Sequence, residues 1–172
     1  MRWPRRCRDG LRNAYEGRVI FIEDFEMDAL ALIQAESACR DLILMAADAV
    51  DQQNYAALVA LFCEDAILVR PGGNALQGRS EILASYSLKD PNRMTQHLVC
   101  NHRVQVSSSG KNAHSHCKVL LYVSDKNRTL TPRGRVADAS HQVGTIADEL
   151  VLTADGWRIQ KRNAWFDLFT EM

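Results

Sequence analysis

From Leu30 onward the apolar positions recur at three- and four-residue spacing. Cys39, Leu42, Ile43, Ala46, Ala49 and Val50 make one stripe, which predicts an amphipathic helix. Asp51-Gln52-Gln53 interrupts the stripe, and Asn54 is a good N-cap for a second, short helix from Tyr55 to Phe62, with Leu58, Val59 and Phe62 on one face. Ala66 to Val69 reads as a short strand stopped by Pro71-Gly72-Gly73-Asn74. Gly78-Arg79-Ser80 leads into a third short helix, with Ser80 as its cap and Asp90-Pro91-Asn92 as its stop.

Beyond Thr95 the period changes to that of strands. His97 to Val106 and Ala113 to Val123 are predicted strands joined by the hairpin loop 107–112. In the second of them Ala113, Cys117, Val119, Leu121 and Val123 share one face, while His114, His116 and Lys118 share the other. A loop from Ser124 to Arg135 carries Pro132 and Gly134. Val136 to Leu152 reads as a long strand, Asp155-Gly156 as a hairpin turn, and Trp157 to Leu168 as the closing strand. Helices followed by an antiparallel meander make an α+β arrangement. Strands of this length must curl, and helices on the concave side of the sheet leave a pocket between the layers. Trp157, Ile159, Trp165 and Phe166 offer apolar surface for the core, for that pocket, or for a contact between subunits.

The chain of 172 residues suits one domain, taken as residues 30–172, with room for one core and a cavity. Residues 1–29 read as an extension: Arg2, Arg5, Arg6, Arg8, Arg12 and Arg18 precede Glu23, Asp24, Glu26 and Asp28. It is expected either to lie on the surface, packed on a partner, or to precede a native start at Met27. The 21 basic and 21 acidic residues cancel, which leaves no field to hold a nucleic-acid backbone or an anionic membrane. No apolar run is long enough to span a bilayer. The five cysteines are scattered without a Cys-x-x-Cys pair, as expected of reduced thiols in a cytoplasmic protein.

The chemistry centres on Asp51 and His97. A carboxylate at a helix C-terminus faces the negative end of the macrodipole, a penalty of roughly 0.3–1 kcal/mol. Local physics does not recommend Asp51 there, and a solvated loop residue is the plain alternative. His97 alone is an ordinary strand-start histidine. Brought together, the two make a base oriented by an acid, able to take a proton beside a carbonyl or to help expel a leaving group. Asn101, four residues on, shares the face of His97 if the strand is regular, and could bond a substrate oxygen. Arg70 could hold a carboxylate or phenolate at a pocket rim. His114 and His116 lack a third ligand of convincing spacing, so no metal is expected. With no Gly-x-Gly-x-x-Gly and no phosphate loop, no nucleotide cofactor is expected either.

The segments 49–58, Leu61-Phe62-Cys63-Glu64-Asp65-Ala66, Gly78-Arg79, His97-Leu98-Val99-Cys100-Asn101 and Asp155-Gly156-Trp157-Arg158-Ile159 together resemble the SnoaL-like group of the nuclear-transport-factor-2-like superfamily. The resemblance covers roughly Ala35 to Leu168. It implies a cone-shaped, cystatin-like curved sheet with three helices on its concave side, and homo-oligomers, dimers or trimers. At the chemistry the chain resembles scytalone dehydratase, whose catalytic aspartate and histidine match Asp51 and the Thr95-Gln96-His97 segment, with Tyr55 in place of a tryptophan. It also resembles hexachlorocyclohexane dehydrochlorinase, whose Asp–His dyad falls at the same two points. The dehydratase's carbonyl-polarising tyrosine falls near Arg70, its second histidine near His116, and its pocket asparagine has no counterpart around Thr145. The resemblance therefore implies a cofactor-independent lyase or isomerase for a small cyclic apolar molecule, of a different substrate. Asp51 and His97 would be catalytic, with Arg70, Asn101, His116 and Tyr55 around the ligand. The ring-hydroxylating dioxygenase β subunits are similar around 97–101 and 155–162, which implies a non-catalytic subunit or binding module as one alternative. A polyketide-type cyclase leaning on a single carboxylate is another.

Overall fold

The apolar stripe of the first helix is what docks it. In the computed structural model, which describes residues 27–171, α1 (Ala29–Asp51) buries Cys39, Leu42, Ile43, Ala46 and Ala49 and packs chiefly on β3 (Arg93–Val106). Fully burying each large aliphatic side chain of that stripe is worth about 1.5–3 kcal/mol. The Asp28 carboxylate caps the helix by accepting the Ala31 N–H at 2.7 Å. Residues 1–26, most of the expected extension, lie outside the described residues. A short turn holding Gln53 at φ 57 leads to α2 (Tyr55–Ala60), where the Asn54 side chain accepts the Ala57 N–H at 3.1 Å, as an N-cap should.

β1 (Phe62–Val69) is longer than the apolar run Ala66–Val69 suggests, and it turns through Pro71–Asn74 into β2 (Ala75–Gln77), a three-residue strand too short to leave a period in the sequence. α3 (Gly78–Ser87) follows at once. Ser80 does not cap it: the helix begins earlier, at Gly78 with φ 78, and the Glu81 carboxylate reaches back to the Gln77 N–H at 2.8 Å.

The long strands are β3, β4 (Asn112–Asp125), β5 (Gln142–Thr153) and β6 (Gly156–Phe169), and the sheet order is β2-β1-β6-β5-β4-β3. Among the described residues every strand pairing is antiparallel except one. β1 lies parallel to β6, so the curved sheet is mixed where the meander predicts a purely antiparallel one. The intervening elements supply the crossover that a parallel neighbour needs. β5 starts at Gln142, not Val136. The Ser124 hydroxyl and the Arg128 guanidinium both donate to the Val136 carbonyl at 2.7 Å, which ties that segment into a loop. The core gathers Phe62, Leu68, Ile82, Leu150, Trp157 and Ile159 against α1. Among the described residues no helix is long and apolar enough to cross a membrane.

Candidate active site

Asp51 is the last residue of α1, and the chain that follows is tied to the start of β3. The Gln53 side-chain amide donates to the Arg93 carbonyl at 2.8 Å, and Lys126 donates to the Gln53 amide oxygen at 2.6 Å. This clamp sets the Asp51 carboxylate under β3, where three donors meet it. The Thr95 hydroxyl donates to Oδ1 at 2.7 Å, the His97 backbone N–H donates to Oδ2 at 2.7 Å, and His97 Nδ1 lies 2.5 Å from Oδ1. Burial raises the carboxyl pKa, but the hydrogen bonds from the His97 ring, the His97 backbone and Thr95 outweigh it, and the group sits below its ordinary value of 3.8. Asp51 is therefore ionised near neutrality and can only accept. The His97 ring must then carry a proton on Nδ1, and its Nε2 has no partner among the described residues.

His97 lines a cavity of about 290 Å³ between the helices and the sheet. Leu68, Val119, Leu121, Ile146, Trp165 and Phe166 supply its apolar surface; Arg70, Tyr86, Lys89, Arg93, Thr95 and Arg162 supply its polar groups. The size lies at the small end of ligand pockets, where a ligand of one or two rings fits. Asp51 stands behind His97 and is not on the wall.

The other residues singled out in the sequence divide. Arg70 is on the wall, with its guanidinium bonded to the Ser85 hydroxyl and 5.1 Å from the centre of the Tyr86 ring. Tyr55 is one layer back. It packs on Tyr86 with ring centres 5.4 Å apart and borders a small recess shared with Lys89, Arg93 and Thr95. Asn101 and His116 do not reach the cavity. β3 is not regular: a bulge between Cys100 and Arg103 puts Asn101 in the left-handed region at φ 50, exposed. Asparagine tolerates that backbone better than most residues. His116 is exposed on the outer side of β4, as its parity with His114 requires, because β4 and β5 pair without a bulge from Asn112 to Leu121. Among the described residues no group of three or more His, Cys, Asp or Glu side chains converges as a metal site would require.

Sequence reasoning passed over Lys89, Tyr86, Arg93 and Arg162. Arg162 has a specific cause. Trp157 and Ile159 face inward, so simple alternation would turn Lys161 in and Arg162 out. A bulge in β6 opposite Glu149/Leu150 shifts the parity, and Arg162 becomes buried. There it faces Asp148 directly across β5 and β6, in a bidentate pair at 2.7 and 3.0 Å. Burial works against the Arg162 charge, but the adjacent carboxylate outweighs it and the guanidinium stays protonated. Lys89 follows α3 in a Leu-Lys-Asp run that looks like a solvated helix end. Its ammonium instead turns over the Tyr86 ring, 4.3 Å from the centroid. Burial, then the neighbouring Arg70 and Arg93 charges, pull its pKa down to about 8, with Asp51 opposing them.

Comparison with known proteins agrees with this architecture. A sequence profile of the SnoaL-like domain matches residues 31–163. No curated protein gives a significant sequence match. Among solved structures, a candidate scytalone dehydratase of Novosphingobium aromaticivorans superposes with a TM-score of 0.68 at 18% identity, covering 85% of this chain and 92% of that one. A type 2 hexachlorocyclohexane dehydrochlorinase gives 0.68 at 19% identity, covering 82% and 90%. ActVI-ORFA of Streptomyces coelicolor gives 0.62 at 17% identity, covering 76% and 96%. At these identities the likeness speaks for the fold.

Proposed function

The chain belongs to the SnoaL-like domain family of the nuclear-transport-factor-2-like fold, and from that premise we propose that it is a cofactor-independent lyase or isomerase acting on a small cyclic molecule, with His97 as base and Asp51 as its orienting partner. The observation that carries the reading is the Asp51–His97 contact at 2.5 Å beside a cavity that His97 lines.

The chemistry is an elimination. His97 Nε2 takes a proton from the carbon next to the one that bears the leaving group, a carbon that also adjoins the carbonyl in a hydroxy ketone, and the electron pair of the broken C–H bond moves into the new C=C bond as the neighbouring C–O or C–halogen bond breaks. A leaving hydroxide takes a proton back from the imidazolium and departs as water; a leaving halide departs with its electron pair, and the imidazolium proton passes to solvent. Asp51 keeps the Nδ1 proton in place and balances the positive charge that forms on the ring. Arg70, on the wall, is placed to face a substrate oxygen. Without a leaving group, return of the proton to another carbon makes the same site an isomerase. A dehydratase and a dehydrochlorinase among the structural neighbours support this class of reaction.

The test is a panel of cyclic β-hydroxy ketones and chlorinated cyclohexanes incubated in D2O with wild type and with His97→Ala, read by NMR for product and for deuterium at carbon. Product or exchange with wild type alone is the expected result. Equal ligand binding by both proteins with turnover by neither would leave a non-catalytic binding module as the better description. The same reading takes the chain to be a dimer or trimer, since Trp165, Phe166, Leu168 and Phe169 are each more than 40% exposed along one strand end. Light scattering on the purified protein reads that directly.

A further inference from the structure

Among the described residues the cavity wall carries Arg70, Lys89, Arg93 and Arg162 and no carboxylate, in a chain whose formal net charge is zero. The local excess is therefore a property of the site. Arg162 is neutralised by Asp148. The other three have no carboxylate partner among the described residues: Arg70 bonds only a serine hydroxyl, and Lys89 has only a ring face. Asp51, whose charge Lys89 feels, already accepts three hydrogen bonds and stands behind His97. Folding gains nothing by gathering like charges beside a half-buried lysine. Each disfavours the others, and burial adds to the cost.

Resting on the reading above, we infer that the substrate of this cavity carries an acid group: a carboxylate on its ring skeleton, held by Lys89 together with Arg70 and Arg93, while the apolar wall takes the ring. A bound carboxylate supplies the missing counter-charge. It accepts charge-assisted hydrogen bonds from an ammonium and a guanidinium that are otherwise unpaired. Tyr86 holds both Arg70 and Lys89 against its ring, with Tyr55 packed on it as well. Lys89 is the member of the set that titrates within reach. Its neighbours are Arg70 after β1, Arg93 on β3, Asp51 at the end of α1 and the tyrosines of α2 and α3. With its pKa near 8 it is protonated at neutrality and loses its charge in mild alkali, while the arginines stay charged.

Calorimetric titration of benzoate and 1-cyclohexenecarboxylate against benzamide and 1-cyclohexenecarboxamide tests this at pH 7. Wild type is expected to bind each acid about tenfold more tightly than its amide, the scale of one charge-assisted hydrogen bond. Lys89→Met and Arg70→Met should each remove most of that preference. Acid binding by wild type should weaken above pH 8. Lys89→Arg should keep acid binding and abolish the alkaline decline, which a merely structural role for Lys89 would not produce. If Lys89→Met does not fold, the acid-to-amide ratio of wild type and the pH profile of Lys89→Arg decide. Equal binding of acid and amide overturns the inference, as does binding of neither. Turnover of neutral substrates alongside equal binding would end the acid proposal and leave the elimination reading standing. Acid preference without turnover by any panel member would do the reverse.

Discussion

Asp51 takes both N–H groups of one residue. The His97 ring and the His97 backbone amide both meet the same carboxylate, at 2.5 and 2.7 Å. The ring is thereby fixed to its own main chain through a third group, so the position of Nε2 follows the position of β3. This converts an aspartate that a helix C-terminus disfavours into the best-satisfied anion near the cavity.

Asp51→Asn should separate stability from chemistry. The two N–H groups bond to different carboxylate oxygens, so the single amide oxygen can keep only one of them; when it keeps the His97 backbone N–H, its NH2 faces Nδ1, donates to it and moves the ring proton to Nε2. Activity on any substrate found by the panel is then expected to fall on the order of 10²–10⁴-fold, because the base nitrogen is occupied. Global stability should fall by only about 1–3 kcal/mol, the cost of hydrogen bonds lost or imperfectly replaced. Urea denaturation beside steady-state kinetics reads both. Unchanged activity would remove the pair from the mechanism.

The lowered Asp51 pKa has a sign that acid titration can check. The folded state holds this carboxylate ionised below its ordinary value of 3.8, so the unfolded chain binds the proton first as pH falls. The stability due to this group is complete above that value and is lost as pH drops through the folded pKa. The stability gap between wild type and Asp51→Asn should narrow below about pH 4. A gap that stays constant down to pH 2 would show that the carboxylate charge contributes nothing.

Legibility in the sequence follows period. The α1 stripe from Cys39 to Val50 and the alternation of Ala113, Cys117, Val119, Leu121 and Val123 are both visible as letters, and both faces are buried as the letters indicate. The α+β order and the family follow from such segments. What period cannot show is a break in period. The bulge that exposes Asn101, the bulge that buries Arg162, and the three residues of β2 are each set by the register with the neighbouring strand, not by the segment's own letters. Lys89 was hidden for a different reason. A lysine at a helix end is nearly always solvated, and nothing local says that a tyrosine one turn earlier will lie under it.

Arg162 and Asp148 are the buried pair that the bulge creates, and their worth should be asymmetric. Arg162→Met leaves the Asp148 carboxylate buried without its bidentate partner, and should cost about 3–5 kcal/mol. The double variant Asp148→Leu/Arg162→Met removes both charges together. It should recover most of that loss, since buried pairs seldom exceed an apolar replacement of similar volume. Chemical denaturation of the single and double variants gives the cycle. Equal destabilisation of the two would mean that the site tolerates no apolar substitute.

Gly144 marks where the cavity wall is tightest. It lies opposite Phe166, at a register shift in β5/β6, and a Cβ there would come within 2.8 Å of the Trp165 carbonyl oxygen and 3.2 Å of the Phe166 ring. The first of these is backbone, which cannot move aside cheaply, and the second lines the cavity. Gly144→Ala should therefore cost about 1–3 kcal/mol from overpacking. It should also push Phe166 toward the cavity and lower ligand affinity, while Asp51 at the end of α1 and His97 on β3, two places from β5 in the sheet order, keep their geometry. Thermal unfolding and acid titration of the variant give the two numbers. Loss of stability with unchanged affinity would mean that the strain is taken up by the strand and not by the wall.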